Sequence, residues 1–455
     1  MTVDLVVRNG NLVLPNGVVK ADVIVEGGKI AALTKDSSSV KADTTIDAKD
    51  KYVLPGAIDP HVHFGIYSGS FEKDVGTETR AMALGGVTTP VHYLQENGSY
   101  LKILGSSAKA VKDKALVDVA FQVILMNQGH LNEMPMYPDR GISAGKIYMN
   151  GKEYKMIGID SDVDDAFLYR AFNLCNKLGF LPKLHCENYE LAKAIGESVR
   201  GSGQQGLPAW DAFRPSVCEE EAMRRAYLIA GHTGTRFYIV HNTTAAAERL
   251  SEQAVSENRE VWFETCPHYL TFTKDDEIGI LGKVNPPIRS EEDRESLWNA
   301  LKRGLIHTIG SDHAPNMLSA KKGKGDIWTA LLGFGGSSFI FPTLFTEGVE
   351  KRGLPLTTVA RVTSFNASRT HGISSKGLLA PGYDADVVVI DAKRYRKVEP
   401  AMVQSYADYT LYDGRKMTGW PAYTISGGRV VAQDLDIVGK PGVARVARCD
   451  TAKAG

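Results

Sequence analysis

The sequence has few cysteines and none of the spacings that cysteine-rich sites use. Only five cysteines occur among 455 residues, an odd number, and no Cys-x-x-Cys pair is present. This scarcity argues against a disulfide framework and against a cysteine-rich zinc site. Excess charge is also missing, because 53 basic residues balance 53 acidic ones. The balance removes any bulk electrostatic reason to expect binding to nucleic acid or to an anionic membrane.

Long apolar runs are missing as well. No stretch reaches the apolar length that a transmembrane helix needs. The first residues, MTVDLVVRNG, lack the basic and apolar regions of a secretion signal. The hydrophobic fraction of 43% and the charged fraction of 23% are ordinary for a globular protein. These features predict a soluble, cytoplasmic protein without a membrane or nucleic-acid partner.

The pattern of apolar and turn-forming residues along the chain changes twice. Residues 1–56 consist of short apolar runs separated by Asn-Gly and Gly-Gly turn signals, which are typical of β-hairpins. Residues 57–376 alternate short apolar runs with helical patterns, which indicates a parallel sheet and favours a closed barrel. Strand patterns return over residues 377–435, and residues 436–455 form a patternless tail. We therefore predict an α/β fold, a β/α barrel with a small β-sandwich domain formed from both chain ends. The tail is expected to be disordered or to pack on a neighbouring subunit.

Metal-compatible side chains follow the predicted barrel strands, at the level where barrel enzymes form their active sites. His61 and His63 close the run YVLPGAIDPHVHF, and side chains two apart on a strand point to the same face. The groups on four other runs are, in chain order, Lys146, His185, His241 and Asp312. Each alone is explained as well by a buried, hydrogen-bonded side chain. Together, the five runs predict one common site.

The number of these groups suggests more than one metal ion. Imidazole and carboxylate groups bind Zn²⁺ at about 2.0–2.2 Å. Five such side chains exceed one tetrahedral site with an open position, so we predict two divalent metal ions with an anion between them. A neutral lysine that adds CO₂ becomes a bidentate carbamate, and Lys146 is the candidate. On the residues alone, an ordinary solvated lysine at the strand end is the favoured interpretation of Lys146.

The order and spacing of several motifs resemble those of the cyclic amidohydrolases, which include dihydropyrimidinase, hydantoinase, allantoinase and dihydroorotase. The similarity extends over about residues 1–435 and includes PGAIDPHVHF, HCEN, IVHNTT, ETCPHYL, SDHAPN and KGLLAPGYDADVVVID. The resemblance implies a TIM-type barrel, a sandwich made from both chain ends and a binuclear metal centre, usually zinc. It also implies a homodimer or homotetramer.

The resemblance assigns roles residue by residue. One histidine pair would hold the more buried metal ion and the other pair the second ion; the pairs are His61–His63 and His185–His241. Lys146 resembles the carboxylated lysine that bridges the two ions, with Lys152 and Lys155 nearby in the sequence. Asp312 resembles the metal ligand that also carries a proton from a bridging hydroxide to the departing ring nitrogen.

The substrate contacts match the family less closely. Hydantoinases and dihydropyrimidinases carry a tyrosine five residues after the carboxylated lysine, where this chain has Gly151. Tyr148 and Tyr154 are near but out of register, and Asn150 is our candidate replacement. Asn285 resembles the residue whose backbone contacts the substrate amide. The stretch GIYSGSFEKD, after the first ligand strand, is either a specificity loop or a plain surface loop.

We predict a hydrolase of carbon–nitrogen bonds in a small cyclic amide, a hydantoin- or dihydropyrimidine-like ring that opens to an N-carbamoyl amino acid. Dihydroorotases have an arginine after the second histidine, where this chain has Gly65. An allantoinase- or dihydroorotase-like enzyme for another cyclic amide or imide is the first alternative. A mononuclear deaminase or non-cyclic amidase is the second. A non-catalytic dihydropyrimidinase-related scaffold is disfavoured, because those relatives have lost the ligands that this chain keeps.

Overall fold

The N-terminal segment forms strands whose alternate side chains contribute to one apolar core. The computed structural model of the protein describes residues 2–156 and 159–452. The first five strands are Thr2–Leu14 (β1), Gly17–Glu26 (β2), Lys29–Thr34 (β3), Lys41–Asp47 (β4) and Tyr52–Pro55 (β5). Leu5 and Val7 of β1, and Val23 and Val25 of β2, lie in one apolar core. This alternation is the period-2 pattern of a sheet with one buried face.

Eight parallel strands follow and form the barrel. They are Ala57–Val62 (β6), Val87–Leu94 (β7), Val119–Ile124 (β8), Ala144–Tyr148 (β9), Leu181–His185 (β10), Phe237–Ile239 (β11), Val261–Thr265 (β12) and Thr308–Ile309 (β13). Neighbours in the chain are neighbours in the sheet, from β6 to β13. The ends of the sheet meet where the His63 N–H donates to the His313 carbonyl at 2.7 Å. The strand ends therefore face one common opening.

Helices connect the barrel strands, and four more follow the last of these strands. Their bounds are Phe71–Leu84 (α1), Tyr100–Lys114 (α2), Gln128–Glu133 (α3), Gly151–Met156 (α4), Asp165–Leu178 (α5), Tyr189–Gly201 (α6), Gly206–Phe213 (α7), Ser216–Thr233 (α8), Ala245–Ser256 (α9), Pro267–Thr271 (α10), Glu291–Lys302 (α11) and then, after β13, Leu318–Lys321 (α12), Ile340–Thr343 (α13), Leu356–Ala360 (α14) and Asn366–His371 (α15). Local capping explains their ends. At α5, the Asp164 side chain accepts a hydrogen bond from the Phe167 N–H, and Gly179 ends the helix at a φ of 61°.

The C-terminal strands are Val387–Ile390 (β14), Arg396–Lys397 (β15), Lys416–Met417 (β16), Pro421–Ser426 (β17), Arg429–Gln433 (β18), Asp436–Ile437 (β19) and Val446–Ala447 (β20). Four of them, β14, β17, β18 and β19, complete the sheet that the N-terminal strands begin, whereas β15 and β16 pair with each other and β20 joins the barrel sheet. Strand β14 pairs antiparallel with β5 on one side and with β17 on the other. Side chains from both chain ends share the same apolar core. The prediction of a TIM-type barrel with a domain built from both chain ends is confirmed.

The described part of the C-terminal tail packs on the barrel of its own chain. Strand β20 pairs in parallel with the first residues of β8. Further along, the N–H groups of Cys449 and Ala452 donate to the carbonyls of Gly141 and Gly179 at 3.0 and 3.1 Å. The tail was expected to be disordered or to reach a neighbouring subunit. These bonds correct that expectation for residues up to 452, because the tail satisfies its backbone groups within the chain.

A buried lysine joins the barrel to the terminal domain. The side chain of Lys376 is 1% exposed, and its Nζ lies 2.9 Å from Asp118, 3.3 Å from Asp384 and 2.5 Å from Asp386. Burial alone would lower the pKa of Lys376, but the three carboxylates raise it well above its usual value. Asp118 precedes barrel strand β8, whereas Asp384 and Asp386 precede β14. The ammonium group therefore balances charge at the junction of the two domains.

We expect Lys376→Ala to lower the free energy of unfolding by about 3–5 kcal/mol, the usual cost of removing one partner of a buried ion pair. The loss follows because the remaining carboxylates stay buried without this cation. Lys20→Ala on the exposed side of β2 makes the same chemical change and should stay within about 0.5 kcal/mol of the parent. Chemical denaturation of the purified variants measures both. Equal stability of the two variants would contradict the assignment.

Candidate active site

The six metal-compatible residues lie together at the carboxyl ends of the barrel strands. His61 and Lys146 lie within β6 and β9, and His185 ends β10. His63, His241 and Asp312 follow strands β6, β11 and β13 by one to three residues. All are buried except Asp312, whose side chain is 17% exposed. The strand-end rule for barrel enzymes accounts for this arrangement.

His61, His63 and Asp312 form the first group. The Nε2 atoms of the two histidines lie 3.2 Å apart. Asp312 Oδ1 lies 2.9 Å from His61 Nε2 and 3.4 Å from His63 Nε2. Ligand atoms at the usual distances from one tetrahedral zinc ion are roughly 3.4 Å apart. The three ligand atoms therefore fit a single divalent ion.

Glu264 determines which nitrogen of His61 is free to bind a metal. Its Oε1 lies 2.6 Å from His61 Nδ1, so this nitrogen donates to the carboxylate and Nε2 keeps its lone pair. The same Oε1 accepts the backbone N–H of His241 at 3.0 Å. Burial alone would raise the pKa of Glu264, but His61 and Lys183 lower it to about 2. One carboxylate thus orients residues of both histidine pairs.

His185 and His241 form the second group. His185 Nδ1 lies 2.9 Å from His241 Nε2. The other ring nitrogen of His185 lies 2.7 Å from Glu187 Oε2, so it donates there and leaves the Nδ1 lone pair free to bind a metal. Burial lowers the pKa of His185, and burial with nearby His185 and Lys146 lowers that of His241 well below its usual value. Neutral imidazoles of this kind are the metal-binding form.

Lys146 lies against the first group and faces aromatic rings. Its Nζ is 2.8 Å from His61 Nε2 and 3.5 Å from His63 Nε2. The same atom lies 4.7 Å from the centre of the Tyr148 ring. Burial lowers the pKa of Lys146 to about 8. Lys152 and Lys155, the two neighbouring lysines in the sequence, are exposed, so of these three lysines only Lys146 lies in the barrel interior.

Two of these residues have unusual backbone angles. His241 has a φ of 39° and Asp312 a φ of 50°, in the left-handed region that non-glycine residues seldom occupy. Each such residue costs on the order of 1–3 kcal/mol, and such costs cluster at functional sites. His241 stands two residues after the short strand β11, and Asp312 three residues after the short strand β13. The turn there directs each side chain into the barrel opening instead of along the strand.

A cavity of about 240 Å³ opens above the two groups. His63, Lys146, His185, His241 and Asp312 are among its lining residues. The remaining wall is formed by uncharged residues, which are Ile66, Tyr67, Gln95, Ile124, Met126, Tyr148, Tyr154, Ile159, Asn285, Ala314, Leu332 and Gly333. Its size fits a small ring compound, and the candidate ligand groups lie at its base.

The candidate substrate contacts divide between the cavity and its surroundings. Asn285 lines the cavity, and its Oδ1 is buried without a hydrogen-bond partner in the described chain. Asn150 is not among the lining residues; its Nδ2 donates to Glu153 Oε2 at 2.9 Å. In this structure the Asn150 amide is therefore engaged on α4, outside the cavity lining. Tyr148 and Tyr154 line the cavity instead, with ring centres 4.3 Å apart.

The loop that follows the first ligand strand contributes to the cavity. Ile66 and Tyr67 lie in its wall, and the Tyr67 hydroxyl donates to the Leu332 carbonyl at 2.6 Å. Leu332 is itself a lining residue. Of the two interpretations of GIYSGSFEKD, the arrangement favours a specificity loop.

Sequence reasoning missed the two carboxylates that orient the histidines. Glu264 lies in the run VWFETC, near the end of β12, and thus obeys the strand-end rule that pointed to the candidate ligands. Glu187 stands two residues after His185, in HCEN. Signals for both were therefore present, but their partners become visible only in three dimensions.

Comparisons with known proteins give one consistent family. The model of the amidohydrolase family matches residues 158–431. L-hydantoinase of Paenarthrobacter aurescens is 32% identical over 96% of this chain and 96% of its own length. Allantoinase of Deinococcus radiodurans is 30% identical over 97% of this chain and 98% of its own length.

Solved structures agree with these relatives. L-hydantoinase (dihydropyrimidinase) from Arthrobacter aurescens superposes with a TM-score of 0.91 at 31% identity, covering 98% of this chain and 100% of its own. Dihydropyrimidinase from Brevibacillus agri gives a TM-score of 0.90 at 28% identity, covering 98% of each chain. Among the described residues, none of the helices has the length and apolar character needed to span a membrane.

Proposed function

Because this chain belongs to the amidohydrolase family, we propose that it is a metal-dependent hydrolase that opens the ring of a small cyclic amide. The observation that carries the proposal is the meeting of two histidine pairs, Asp312 and Lys146 at the base of one cavity. Relatives named hydantoinase and allantoinase support the substrate class. The predicted homodimer or homotetramer belongs to the same proposal, and light scattering tests it.

The proposed centre holds two divalent ions. His61, His63 and Asp312 would hold one ion, and His185 and His241 the other. Imidazole and carboxylate donors favour Zn²⁺, although they also accept Mn²⁺ or Co²⁺. When bound, the ions supply a nucleophilic hydroxide at neutral pH, because a bound metal lowers the pKa of water from 15.7 to about 7, and they polarise the ring carbonyl.

Lys146 is the proposed bridge after carboxylation by CO₂. Only a neutral amine adds CO₂, and burial has lowered the pKa of Lys146 to about 8, so part of the population is neutral near pH 7. The carbamate is a bidentate anion, and its charge offsets part of the charge of two dications. An unmodified ammonium in the same place would repel them.

Asp312 is the proposed proton carrier. Burial alone would raise its pKa, but His61, His63 and Lys146 hold it well below the usual value, so the side chain is a carboxylate at neutral pH. It accepts the proton of the attacking oxygen and returns it to the ring nitrogen as the C–N bond breaks. An amide nitrogen leaves poorly unless it is protonated, so both halves of the transfer matter.

The cavity wall supports an uncharged ring as the substrate. Asn285 Oδ1, which has no partner in the described chain, is an acceptor for a ring N–H. Tyr148 and Tyr154 offer hydroxyl donors to ring carbonyls. Apart from the catalytic groups at its base, the wall contains no charged side chain. A hydantoin or dihydropyrimidine fits this surface better than dihydroorotate, whose carboxylate would lack a cation at Gly65.

A substrate panel tests the proposal. Metal-loaded protein should be assayed with hydantoins, dihydrouracil, allantoin, dihydroorotate and a cyclic imide, with mass spectrometry to identify the ring-opened acids. We expect N-carbamoyl amino acids from hydantoins or dihydrouracil, and little product from dihydroorotate. Wild-type turnover no higher than that of Asp312→Asn on every ring would overturn the proposed function.

Glu264 offers a test of metal binding that does not need turnover. We expect Glu264→Gln to weaken binding at the His61–His63 position by about 10- to 100-fold, because the charge that holds His61 is lost. Glu260→Gln makes the same change at an exposed pair with Arg236 and should leave affinity unchanged. Competition with a chelator measures both variants, and equal affinities would contradict the role of Glu264.

A further inference from the structure

We infer that Arg214 is a positioning residue that ties the ligand His185 to the helix that carries Tyr154. The inference rests on the proposed function, because it assigns those two residues to metal and substrate. Arg214 directly follows helix α7 and is 1% exposed. Its guanidinium group contacts two carboxylates, Glu187 and Glu153, that come from different strand–helix connections.

One guanidinium nitrogen of Arg214 bonds the carboxylate that orients the proposed metal ligand His185. Arg214 Nη1 donates to Glu187 Oε1 at 3.1 Å. The other oxygen of Glu187 lies 2.7 Å from His185 Nε2. A fully buried carboxylate needs a cation or several donors to remain charged. By pairing with Glu187, Arg214 keeps the acceptor that turns His185 Nδ1 toward His241.

The other terminal guanidinium nitrogen bonds a carboxylate on the helix that carries the cavity residue Tyr154. Arg214 Nη2 donates to the carboxylate of Glu153, which lies on α4 immediately before Tyr154. Glu153 Oε2 also accepts the Asn150 amide at 2.9 Å. Asn150 and Glu153 thus fasten the short α4 helix to Arg214. The side chain that sequence reasoning offered as a substrate donor takes part instead in holding the tyrosine helix.

The guanidinium shape suits this task. A planar fork can donate to two carboxylates in different directions, whereas an ammonium is a single point charge. The other nearby arginine, Arg289, bonds Asp211, Glu219 and the Arg214 carbonyl. It therefore supports the backbone of Arg214 but makes no hydrogen bond to Glu187 or Glu153.

Three variants distinguish the contact of Arg214 with Glu187 from its contact with Glu153. We expect Glu187→Gln to lower affinity for the ion at the His185–His241 position by about 10- to 100-fold. Glu153→Gln should leave the bound metal at the wild-type level and raise KM about tenfold, because a charge-assisted bond to the tyrosine helix is weakened. Arg214→Lys should show both defects while circular dichroism and Tm confirm that it folds.

A matched control is an ion pair that joins α4 to α6 at the surface. Glu190 pairs with Lys152 of α4 at the exposed surface, so Glu190→Gln removes an α4 ion pair without touching Arg214. This variant should match wild type in metal content and KM. Metal affinity is measured by competition with a chelator, so this part of the test works even if no ring is hydrolysed. Wild-type metal affinity and KM in folded Arg214→Lys, or a KM defect in Glu190→Gln equal to that of Glu153→Gln, would overturn the inference.

Discussion

We expect Asp312→Asn to lower kcat for ring opening about a thousandfold, within the 10²–10⁴ range typical of losing a general acid–base group. The asparagine amide fills the same space but cannot accept the proton of the attacking oxygen. It also cannot deliver a proton to the departing nitrogen. Steady-state kinetics on the best ring of the substrate panel, with the metal content of each preparation, measures the effect.

Asp113→Asn is the matched control for this change. Asp113 is an exposed aspartate on α2, 46% exposed and paired with Lys109. The same substitution there should leave kcat within about twofold of wild type, as for most surface changes. A metal-replete Asp312→Asn enzyme with kcat near the wild-type value would remove Asp312 from the proposed proton transfer.

Lys146→Ala should abolish most activity and at least one bound ion. Without the carbamate, five ligands remain for two dications, and nothing anionic lies between them. We expect metal content to fall from about two ions to about one per chain and kcat to fall by at least about a hundredfold. A short carboxylic acid such as acetate, added in excess, should restore part of the activity because its two oxygens can replace those of the carbamate.

The neighbouring lysines provide the control. Lys152→Ala and Lys155→Ala remove exposed lysines from α4, six and nine residues after Lys146, and both should retain two ions and most of the activity. This pair also tests the register of the motif, because either lysine was near enough in sequence to be the bridge. Loss of metal in Lys152→Ala with none in Lys146→Ala would refute our assignment.

The barrel, and the meeting of the candidate metal ligands at its opening, could be predicted because both follow from local rules. Alternating apolar runs and helices predict parallel strands, and the ends of such strands meet at one opening. His61 and His63 needed only the two-residue period of a strand. Lys146 needed the resemblance as well, because a lysine at a strand end is commonly solvated.

The remaining features depend on contacts between distant parts of the chain. Glu264 and His61 are separated by 203 residues, so no local pattern reports their bond. Tyr154 reaches the cavity on α4, which Glu153 holds in place. The spacing between Lys146 and Tyr154 in the sequence could not show that contact. The tail pairs with β8 across more than 300 residues, and its own sequence has too little periodicity to show a strand.

The most direct test is a crystal structure of the metal-loaded protein with anomalous data collected at the absorption edge of the metal. We predict two anomalous peaks per chain, one among His61, His63 and Asp312 and one between His185 and His241, with carbamate density extending from Lys146 between them. A single peak at full loading, or a plain lysine side chain beside two separated ions, would contradict the binuclear centre.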